Sequence, residues 1–419
     1  MQIEIVTIGD ELLLGFTIDT NGAHLARELA QYGITVARRT SVGDEANEIA
    51  GAVREALDRT GAVITTGGLG PTSDDLTKPS IAAIFGRAMR LDEAIVESLR
   101  QRWKSRGWPG ELPESNKQQA LIPEGAAIIE NRHGSAPGIW LEDERGRWVA
   151  MLPGVPREMR GMLADALLPR IRARLGGVAT VVMSRTIRTT GISESALSDR
   201  IRGLIGLDLE GLGLAYLPGW EGVDLRLTAR GLSAAEADAR LGRVSAALVA
   251  VAGDHVYGQD NHDLAVSVLD ALRAAGMRIA VAESCTGGML GMRLTAIPGS
   301  SDVVLGGIIA YHNDVKVQQL GVREATLTSF GAVSEETARE MATGARAALG
   351  AAVGVGITGI AGPDGGTADK PVGTVCVAVD VAGTVKSFRA SMVGDRHEIR
   401  QRSAQAALNL VRRMLAGTA

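Results

Sequence analysis

A hydroxyl and a thiol stand side by side in the C-terminal half of the chain, at a turn between a strand and a helix. Ser284 and Cys285 follow a short apolar run that predicts a buried strand, and Gly287 and Gly288 precede a helical pattern. Backbone N–H groups at the start of a helix attract an anion or an oxyanion. We therefore predict a nucleophile at this turn, with the glycine N–H groups facing the substrate.

A base for this nucleophile is predicted at the end of the next strand. The run Ile308–Lys316 indicates a strand followed by a polar turn, with Tyr311 and Lys316 at its end. A serine hydroxyl needs a neighbouring base, and a desolvated neutral lysine can serve. A thiol is intrinsically the better nucleophile, but a cysteine without a cationic partner usually packs as a small apolar residue. We therefore predict Ser284 rather than Cys285.

Two further segments place ligand-binding groups after short strands. Gly356–Gly366 predicts a strand that enters a glycine-rich loop, whose N–H groups can form an anion nest. Gly394–Arg400 opens the last helix with two arginines one turn apart, which suits a phosphate or a carboxylate. Each turn alone is more often structural than catalytic. Taken together they favour a site, because open α/β sheets bind ligands at the carboxyl ends of their strands.

These segments, in their order along the chain, resemble the CinA C-terminal family. The resemblance covers about residues 260–415 and rests on the segments 282–288, 311–316, 356–366, 370–374 and 394–400. It implies a nicotinamide-nucleotide amidase, which hydrolyses nicotinamide mononucleotide to nicotinate mononucleotide and ammonia without a cofactor.

The same resemblance implies roles for individual residues. Ser284 would be the nucleophile, Lys316 its base and Tyr311 an assisting hydroxyl. The residues that would line the substrate site are Gly287, Gly288, Thr358, Gly359 and Gly362. Arg396 or Arg400 would hold the nucleotide phosphate, and the sequence leaves the choice between them open.

The N-terminal part alternates strands and helices in the order βαβαβ, which predicts a doubly wound, parallel α/β sheet. Its third strand, Ala62–Thr65, runs into the glycine-rich loop Thr66–Thr77, which can cradle phosphates at a helix N-terminus. Carboxylates follow all three strands, at Asp10, Glu11, Asp44, Asp74 and Asp75. A divalent cation would explain several carboxylates beside a phosphate loop. The alternative is that Asp10, Asp19 and Asp74 are helix caps or turn formers.

Residues 1–170 resemble the molybdopterin-binding fold and, more closely, the CinA N-terminal domain. The matching segments are 9–15, 19–21, 67–77, 115–120, 134–138 and 153–159. The resemblance implies a pyrophosphatase that uses Mg²⁺ or Co²⁺ to split ADP-ribose into AMP and ribose 5-phosphate. The site residues would be Asp10, Glu11, Asp44, Gly68, Gly70, Thr72 and Asp75, with Asp44 and Asp75 as the metal ligands.

Residues 177–257 resemble the KH-type linker domain of the same family, a small α+β unit, and are followed by the amidase domain at 258–419. KH domains that bind nucleic acid carry a Gly-x-x-Gly loop with basic neighbours. The corresponding turn, Thr190–Ser195, has neither. We therefore interpret this domain as a spacer and the surface of a homodimer.

The composition excludes several classes of partner. A net charge of −4 and an aromatic content of 3% argue against nucleic-acid binding. Two cysteines do not suggest a disulfide framework, and the scattered histidines do not suggest zinc. No apolar run reaches the length of a membrane span and no signal peptide is evident, so we expect a cytoplasmic protein that binds nucleotides.

Two other functions stay open from the sequence. The chain could be a scaffold for competence or recombination proteins that catalyses nothing, or an enzyme that handles molybdopterin. The first leaves the serine, tyrosine and lysine set unexplained, and the second leaves residues 260–415 without a role.

Overall fold

The computed structural model describes residues 1–175, 180–202, 209 and 211–418, which form two compact units. One unit comprises Met1–Met183 and Ala229–Asp238, and the other comprises Ser184–Thr228 and Ala239–Ala419. Residue 177, where the second domain is predicted to begin, lies outside the described residues. Within those residues, no helix is long and apolar enough to cross a bilayer.

The first 175 residues alternate strands and helices. The strands are β1 (Gln2–Ile8), β2 (Thr35–Val42), β3 (Ala62–Thr66), β4 (Met89–Leu91), β5 (Leu121–Pro123), β6 (Ala127–Ile129), β7 (Gly138–Glu142) and β8 (Trp148–Leu152). The helices are α1 (Asp10–Leu13), α2 (Thr20–Gln31), α3 (Ala46–Thr60), α4 (Thr77–Ile84), α5 (Glu93–Ser105), α6 (Pro156–Met162) and α7 (Leu168–Arg174). A 3₁₀ segment covers Glu114–Ala120, and a π-helical segment joins α6 to α7.

The main N-terminal sheet has the strand order β2-β1-β3-β8-β7-β6. Strand β1 is parallel to β2 and β3, and β3 is parallel to β8, so the predicted doubly wound α/β fold is confirmed. β1 and β3 are buried almost throughout because helices cover both faces of the sheet. Helix α2 begins at the predicted cap, since the Asp19 carboxylate accepts a hydrogen bond from the Gly22 N–H.

The middle domain is the predicted small α+β unit. Its elements are β9 (Val181–Thr189), α8 (Glu194–Arg202), β10 (Leu212–Pro218), β11 (Val223–Leu232), α9 (Ala234–Ala252) and β12 (Val256–Gln259). The strands lie in the order β10-β11-β9-β12, and the consecutive strands β10 and β11 are neighbours that form a hairpin. Buried and less buried positions alternate along β11, which is typical of a sheet with one packed face.

The C-terminal domain carries the remaining elements. Its strands are β13 (Ile279–Glu283), β14 (Val304–Ile309), β15 (Val353–Gly359), β16 (Thr374–Val381) and β17 (Thr384–Ser391). Its helices are α10 (Leu264–Ala275), α11 (Met289–Thr295), α12 (Asn313–Leu320), α13 (Glu324–Phe330), α14 (Glu335–Ala348) and α15 (Arg396–Leu415).

The C-terminal sheet has the order β14-β13-β15-β16-β17. β13 is parallel to β14 and β15, whereas β16 and β17 are antiparallel additions. Side chains of β13 alternate between two cores: Ile279 and Val281 pack with α10, α11 and α15, and Ala280 and Ala282 pack with α12 and α14. The sheet is therefore covered on both faces, and ligand access is left at the strand ends.

Helix α11, which follows the Ser284 turn, is tied to the middle domain by a buried arginine. The Arg293 guanidinium donates to Asp263 (2.7 Å) and Gln405 (2.7 Å) and lies 3.5 Å from the Glu221 carboxylate. It also stacks 5.3 Å from the centre of the Trp220 ring, at the tip of the β10–β11 hairpin. One cation thus joins α11 to the hairpin, to the start of α10 and to α15.

We expect Arg293→Met to destabilise the protein. Removing one partner of a buried ion pair costs about 3–5 kcal/mol, and the partial exposure of Asp263 puts the loss near the lower bound. The midpoint and slope of urea unfolding measure this change. The matched control is Arg323→Met, which removes an exposed pair with Glu340 and should cost at most about 1 kcal/mol. Equal losses of unfolding free energy in the two variants would contradict the conclusion that burial makes the Arg293 contacts more stabilising than the exposed Arg323 pair.

Candidate active site

The register of three neighbouring parallel strands brings the predicted catalytic segments to one edge of the C-terminal sheet. Glu283, the last residue of β13, lies opposite Ile309 on β14 and Ile357 on β15. Hydrogen bonds continue past the strand ends, from the Ala310 N–H to the Glu283 carbonyl (2.8 Å) and from the Ser284 N–H to the Ile357 carbonyl (2.9 Å). Ala310 follows β14, Ser284 follows β13, and Thr358 is the next-to-last residue of β15.

Lys316 lies on helix α12 and not in the turn after β14, where the sequence pattern had placed it. Its side chain is 1% exposed, and its Nζ donates to the carbonyls of Ala310 (2.9 Å) and Tyr311 (3.1 Å). Burial lowers the pKa of Lys316, while its electrostatic interaction with Cys285 acts in the opposite direction. A neutral amine has two N–H groups and one lone pair. If Lys316 is neutral, its two N–H groups donate to the two carbonyls and its lone pair can take a proton.

Ser284 and Cys285 are both buried at the turn, but their surroundings favour different roles. Cys285 belongs to the apolar core of the domain. Burial, with a smaller contribution from the charge of Glu283, raises the pKa of the Cys285 thiol to about 12, so the thiol is protonated at neutral pH. The thiolate is the nucleophilic form of cysteine. The geometry therefore favours the Ser284 hydroxyl.

The N–H groups of the two glycines do not face a substrate, and this expectation from the sequence is wrong. The Gly287 N–H donates to the Ser284 carbonyl (3.1 Å), and the Gly288 N–H donates to the carboxylate of Glu283 (3.1 Å). Glu283 is 1% exposed. The sequence analysis did not select Glu283, because its position at the end of a strand does not show that its side chain reaches the N–H groups at the start of α11.

The two arginines of α15 make different contacts. Arg400 is half-buried, and its Nε and Nη2 both donate to the Thr286 carbonyl, at 3.2 and 2.7 Å. Arg396 is exposed and donates to the Gly362 carbonyl (2.7 Å) and to the Tyr311 hydroxyl (3.2 Å). Arg400 thus holds the nucleophile turn, whereas Arg396 joins the tyrosine to the glycine-rich loop.

The start of α15 is fixed by a capping box that the sequence reading missed. The Asp395 carboxylate accepts from the Glu398 N–H, and the Glu398 side chain accepts from the Asp395 N–H. The signal was present as an acidic residue followed three positions later by glutamate. This cap fixes the first turn of the helix, which carries Arg396.

Thr358 and the adjacent glycines are held by contacts within the domain. The Thr358 hydroxyl is buried and donates to the Ala332 carbonyl (2.8 Å). A Cβ atom on Gly359 would lie 2.8 Å from the Thr374 carbonyl oxygen, so only glycine lets β15 approach β16 this closely. Gly362 contributes its carbonyl to Arg396. Thr358, Gly359 and Gly362 thus fix the backbone at the end of β15 and in the loop that follows it.

In the N-terminal domain, a second candidate site is a cavity of about 430 Å³ at the carboxyl ends of the strands. It includes Gln119, Ser135 and Glu158, which the sequence reading did not select. The predicted residues that line it are Glu11, Asp44, Gly68, Gly70, Asp74 and Asp75. Thr72 is outside this lining but contacts Asp75.

Asp75 closes the glycine-rich loop on itself. One carboxylate oxygen accepts from the Gly70 N–H (2.6 Å), and the other accepts from the Thr72 N–H (2.8 Å) and hydroxyl (2.5 Å). These three hydrogen bonds use both oxygens to close the loop, and the assignment of Asp75 as a metal ligand stays a prediction. The residue stabilises the loop.

Asp44 lies in a cluster of negative charge. Its carboxylate accepts from the Asp10 N–H (3.0 Å), and Asp10 accepts from the Asp44 N–H (3.1 Å). Burial raises the pKa of Asp44, and so do the charges of Asp10, Glu11 and Asp74. Among the described residues, no group of three or more His, Cys, Asp or Glu side chains is arranged to hold a metal. A cation that arrives with phosphate oxygens would find the Asp44 carboxylate in this cluster, and one or two carboxylates plus substrate phosphates are a common ligand set for Mg²⁺.

Comparison with known proteins identifies the family. Three family models match along the chain: "Probable molybdopterin binding domain" at residues 4–173, "Damage-inducible protein CinA KH domain" at 184–258 and "CinA C-terminal domain" at 261–415. A CinA-like protein of Gemmatimonas aurantiaca is 59% identical over 416 residues, which cover 99% of this chain and 97% of that protein. This chain belongs to the CinA family.

Further relatives match over all or part of this chain. A CinA-like protein of Salinibacter ruber is 43% identical over 415 residues, 99% of this chain and 100% of that protein. The crystal structure of the competence/damage inducible protein CihA from Agrobacterium tumefaciens is 44% identical and covers 35% of this chain and 90% of that one, with a TM-score of 0.35. The resemblance to the CinA family predicted from the sequence motifs is confirmed.

Proposed function

We propose that the C-terminal domain is a serine amidase that hydrolyses nicotinamide mononucleotide to nicotinate mononucleotide and ammonia. The observation that carries this proposal is the buried Lys316 amine, held by two carbonyls at the strand edge where Ser284 follows β13. A desolvated neutral amine can serve as the base for a hydroxyl nucleophile. The family resemblance supports the choice of substrate.

In the proposed reaction, Lys316 takes the proton of the Ser284 hydroxyl while the Ser284 oxygen attacks the carboxamide carbon. The same proton passes to the leaving nitrogen, and ammonia departs as the acyl ester forms. Water then attacks the ester while Lys316 accepts a proton from it. Lys316 returns this proton to the Ser284 oxygen as the acyl C–O bond breaks, and the acid product leaves as its carboxylate after losing a proton to solvent. In the described part of the chain, the N–H groups of Cys285 and Thr286 do not donate to a backbone carbonyl, so we assign them as donors to the oxyanion.

We assign the phosphate of the nucleotide to Arg396. This arginine is exposed at the strand edge and already lies beside the Tyr311 hydroxyl and the glycine-rich loop. Guanidinium groups bind phosphate oxygens through paired N–H donors. Arg400 is committed to the Thr286 carbonyl, which suits a role in holding the nucleophile turn.

Ser284→Ala is expected to lower kcat for ammonia release by at least about 10³-fold, since it removes the nucleophile. Cys285→Ala, a matched change at the next position, should keep most of the activity because that thiol is protonated and packed in the core. Ammonia release from nicotinamide mononucleotide in the presence of EDTA measures both. The reverse pattern would transfer the role of nucleophile to Cys285. Absence of turnover in the folded wild-type protein would favour the scaffold or the molybdopterin-handling alternative.

The pH dependence of kcat/KM is expected to follow the Lys316 amine. The base must be neutral, and burial lowers its pKa from the ordinary value of 10.5. Activity should therefore rise with pH and reach a plateau, with a midpoint below 10.5. Lys316→Arg keeps a positive charge, but the guanidinium stays protonated and cannot accept a proton. This variant should therefore be inactive across the same pH range. A wild-type rate that is independent of pH would contradict the assignment of Lys316.

We also propose that the N-terminal cavity binds ADP-ribose and, with Mg²⁺ or Co²⁺, cleaves its diphosphate. The support is the cavity lined by the glycine-rich loop and by carboxylates clustered around Asp44. When bound, the cation would neutralise charge on the diphosphate. The chain itself supplies the loop that holds the phosphates and the carboxylates that attract the cation.

Asp44→Asn is expected to abolish the cleavage of ADP-ribose while ammonia release in the C-terminal domain continues. The control is Asp58→Asn, an exposed aspartate of the same domain that pairs with Arg147. EDTA should stop the cleavage of ADP-ribose and spare the amidase, and AMP formation is the readout. Cleavage that survives both EDTA and Asp44→Asn would contradict this proposal. The predicted homodimer stays a prediction.

A further inference from the structure

The turn that carries Ser284 is closed by the side chain of the residue before it. The carboxylate of Glu283 accepts three hydrogen bonds from backbone N–H groups beyond the turn: Gly288 (3.1 Å), Leu290 (3.0 Å) and Gly291 (2.8 Å). Its backbone is fixed as well, because Glu283 is the last residue of β13 and its carbonyl accepts from Ala310. Both ends of the Ser284 turn are therefore attached to one residue.

This arrangement uses the start of α11 in an unusual way. The first N–H groups of a helix have no partner within the helix and attract negative charge. Here the chain's own carboxylate takes that position, and it is 1% exposed. A phosphate of the substrate cannot occupy the same N–H groups. The negatively charged end of the substrate must therefore be bound elsewhere, which agrees with the arginines of α15.

We propose that Glu283 is the positioning residue of the amidase, which fixes the Ser284 hydroxyl by joining the end of β13 to the start of α11. This inference rests on the proposed function. Glu283 does not touch the substrate and does not exchange protons in the reaction. It holds the backbone on both sides of the nucleophile, so that the Ser284 oxygen stays at a constant place relative to the carbonyl edge that holds Lys316.

The Glu283 carboxylate also influences which of the two adjacent side chains, Ser284 or Cys285, can act as the nucleophile. Its charge lies close enough to Cys285 to raise the pKa of the thiol, in addition to the effect of burial. Arg400 and Arg396 act on the thiol in the opposite direction. Glu283 thus holds the serine in place and opposes formation of the neighbouring thiolate.

The test compares Glu283→Gln with a matched change in the same domain. The carboxamide has one accepting oxygen, so at least one of the three N–H groups loses its acceptor. The control is Asp380→Asn: this carboxylate is also 1% exposed and accepts from the Gly383 N–H (2.8 Å) and the Thr343 hydroxyl (2.9 Å). Asp380 lies opposite Gly354, at the far end of β15 from Thr358.

We expect both variants to melt at lower temperature than the wild type, and only Glu283→Gln to lose activity. A displacement of about 1 Å at a reacting group costs about 10²-fold in rate, so kcat for ammonia release should fall by about that factor. KM should be unchanged, because the phosphate is bound by α15. Glu283→Asp keeps the carboxylate on a shorter side chain and is expected to lose kcat as well. It gives the same comparison if the glutamine variant does not fold.

The outcomes separate this inference from the proposed function. Wild-type turnover with equal kcat in the Glu283 and Asp380 variants would show that Glu283 stabilises the fold and nothing more, and the inference would be overturned while the amidase stands. A rise in KM at constant kcat would overturn it too, because that result assigns Glu283 to substrate binding. No turnover by the folded wild-type protein would overturn both.

Discussion

The burial of one amine at the edge of the C-terminal sheet is the constraint on which the candidate site depends. Lys316 is enclosed by protein, and two carbonyl groups accept its N–H groups. Those carbonyls belong to Ala310 and Tyr311, which follow β14, and β14 is aligned with β13 through parallel register. A change in that register would move the carbonyls away from the amine. The position of the Lys316 amine therefore depends directly on the pairing of β13 with β14.

A second set of contacts holds the nucleophile turn. Glu283 attaches it to α11, and Arg400 attaches it to α15 through the Thr286 carbonyl. The far end of α11 is tied through Arg293 to the middle domain and to α10. Helix α11 is short, so its position is set by these partners and not by its own helical hydrogen bonds. The middle domain thus contributes to the packing of the helix that follows the candidate nucleophile.

The N-terminal domain uses its carboxylates differently. Asp75 takes hydrogen bonds from the glycine-rich loop and rigidifies it, whereas Asp44 is surrounded by other negative groups. Asp44 and Asp75 were expected to have the same role, but their surroundings in the structure differ. Asp75 lowers the free energy of a loop conformation, and Asp44 adds to a region of concentrated negative charge. Motif spacing alone does not distinguish these uses, since both carboxylates follow strands.

The sequence by itself determined the family, the three domain types and the order of the segments that meet at the C-terminal edge, because apolar periodicity and motif order are local properties of the chain. It also predicted Ser284, Lys316 and both arginines of α15 as site residues, and these assignments stay predictions. Only the tertiary structure decided how these residues are used: Lys316 reaches the edge from α12, Glu283 takes the N–H groups expected to face substrate, and Asp75 closes its own loop. These contacts depend on which backbone N–H and C=O groups remain unpaired once the helices and strands have packed. The spacing of residues along the chain does not specify which groups those are.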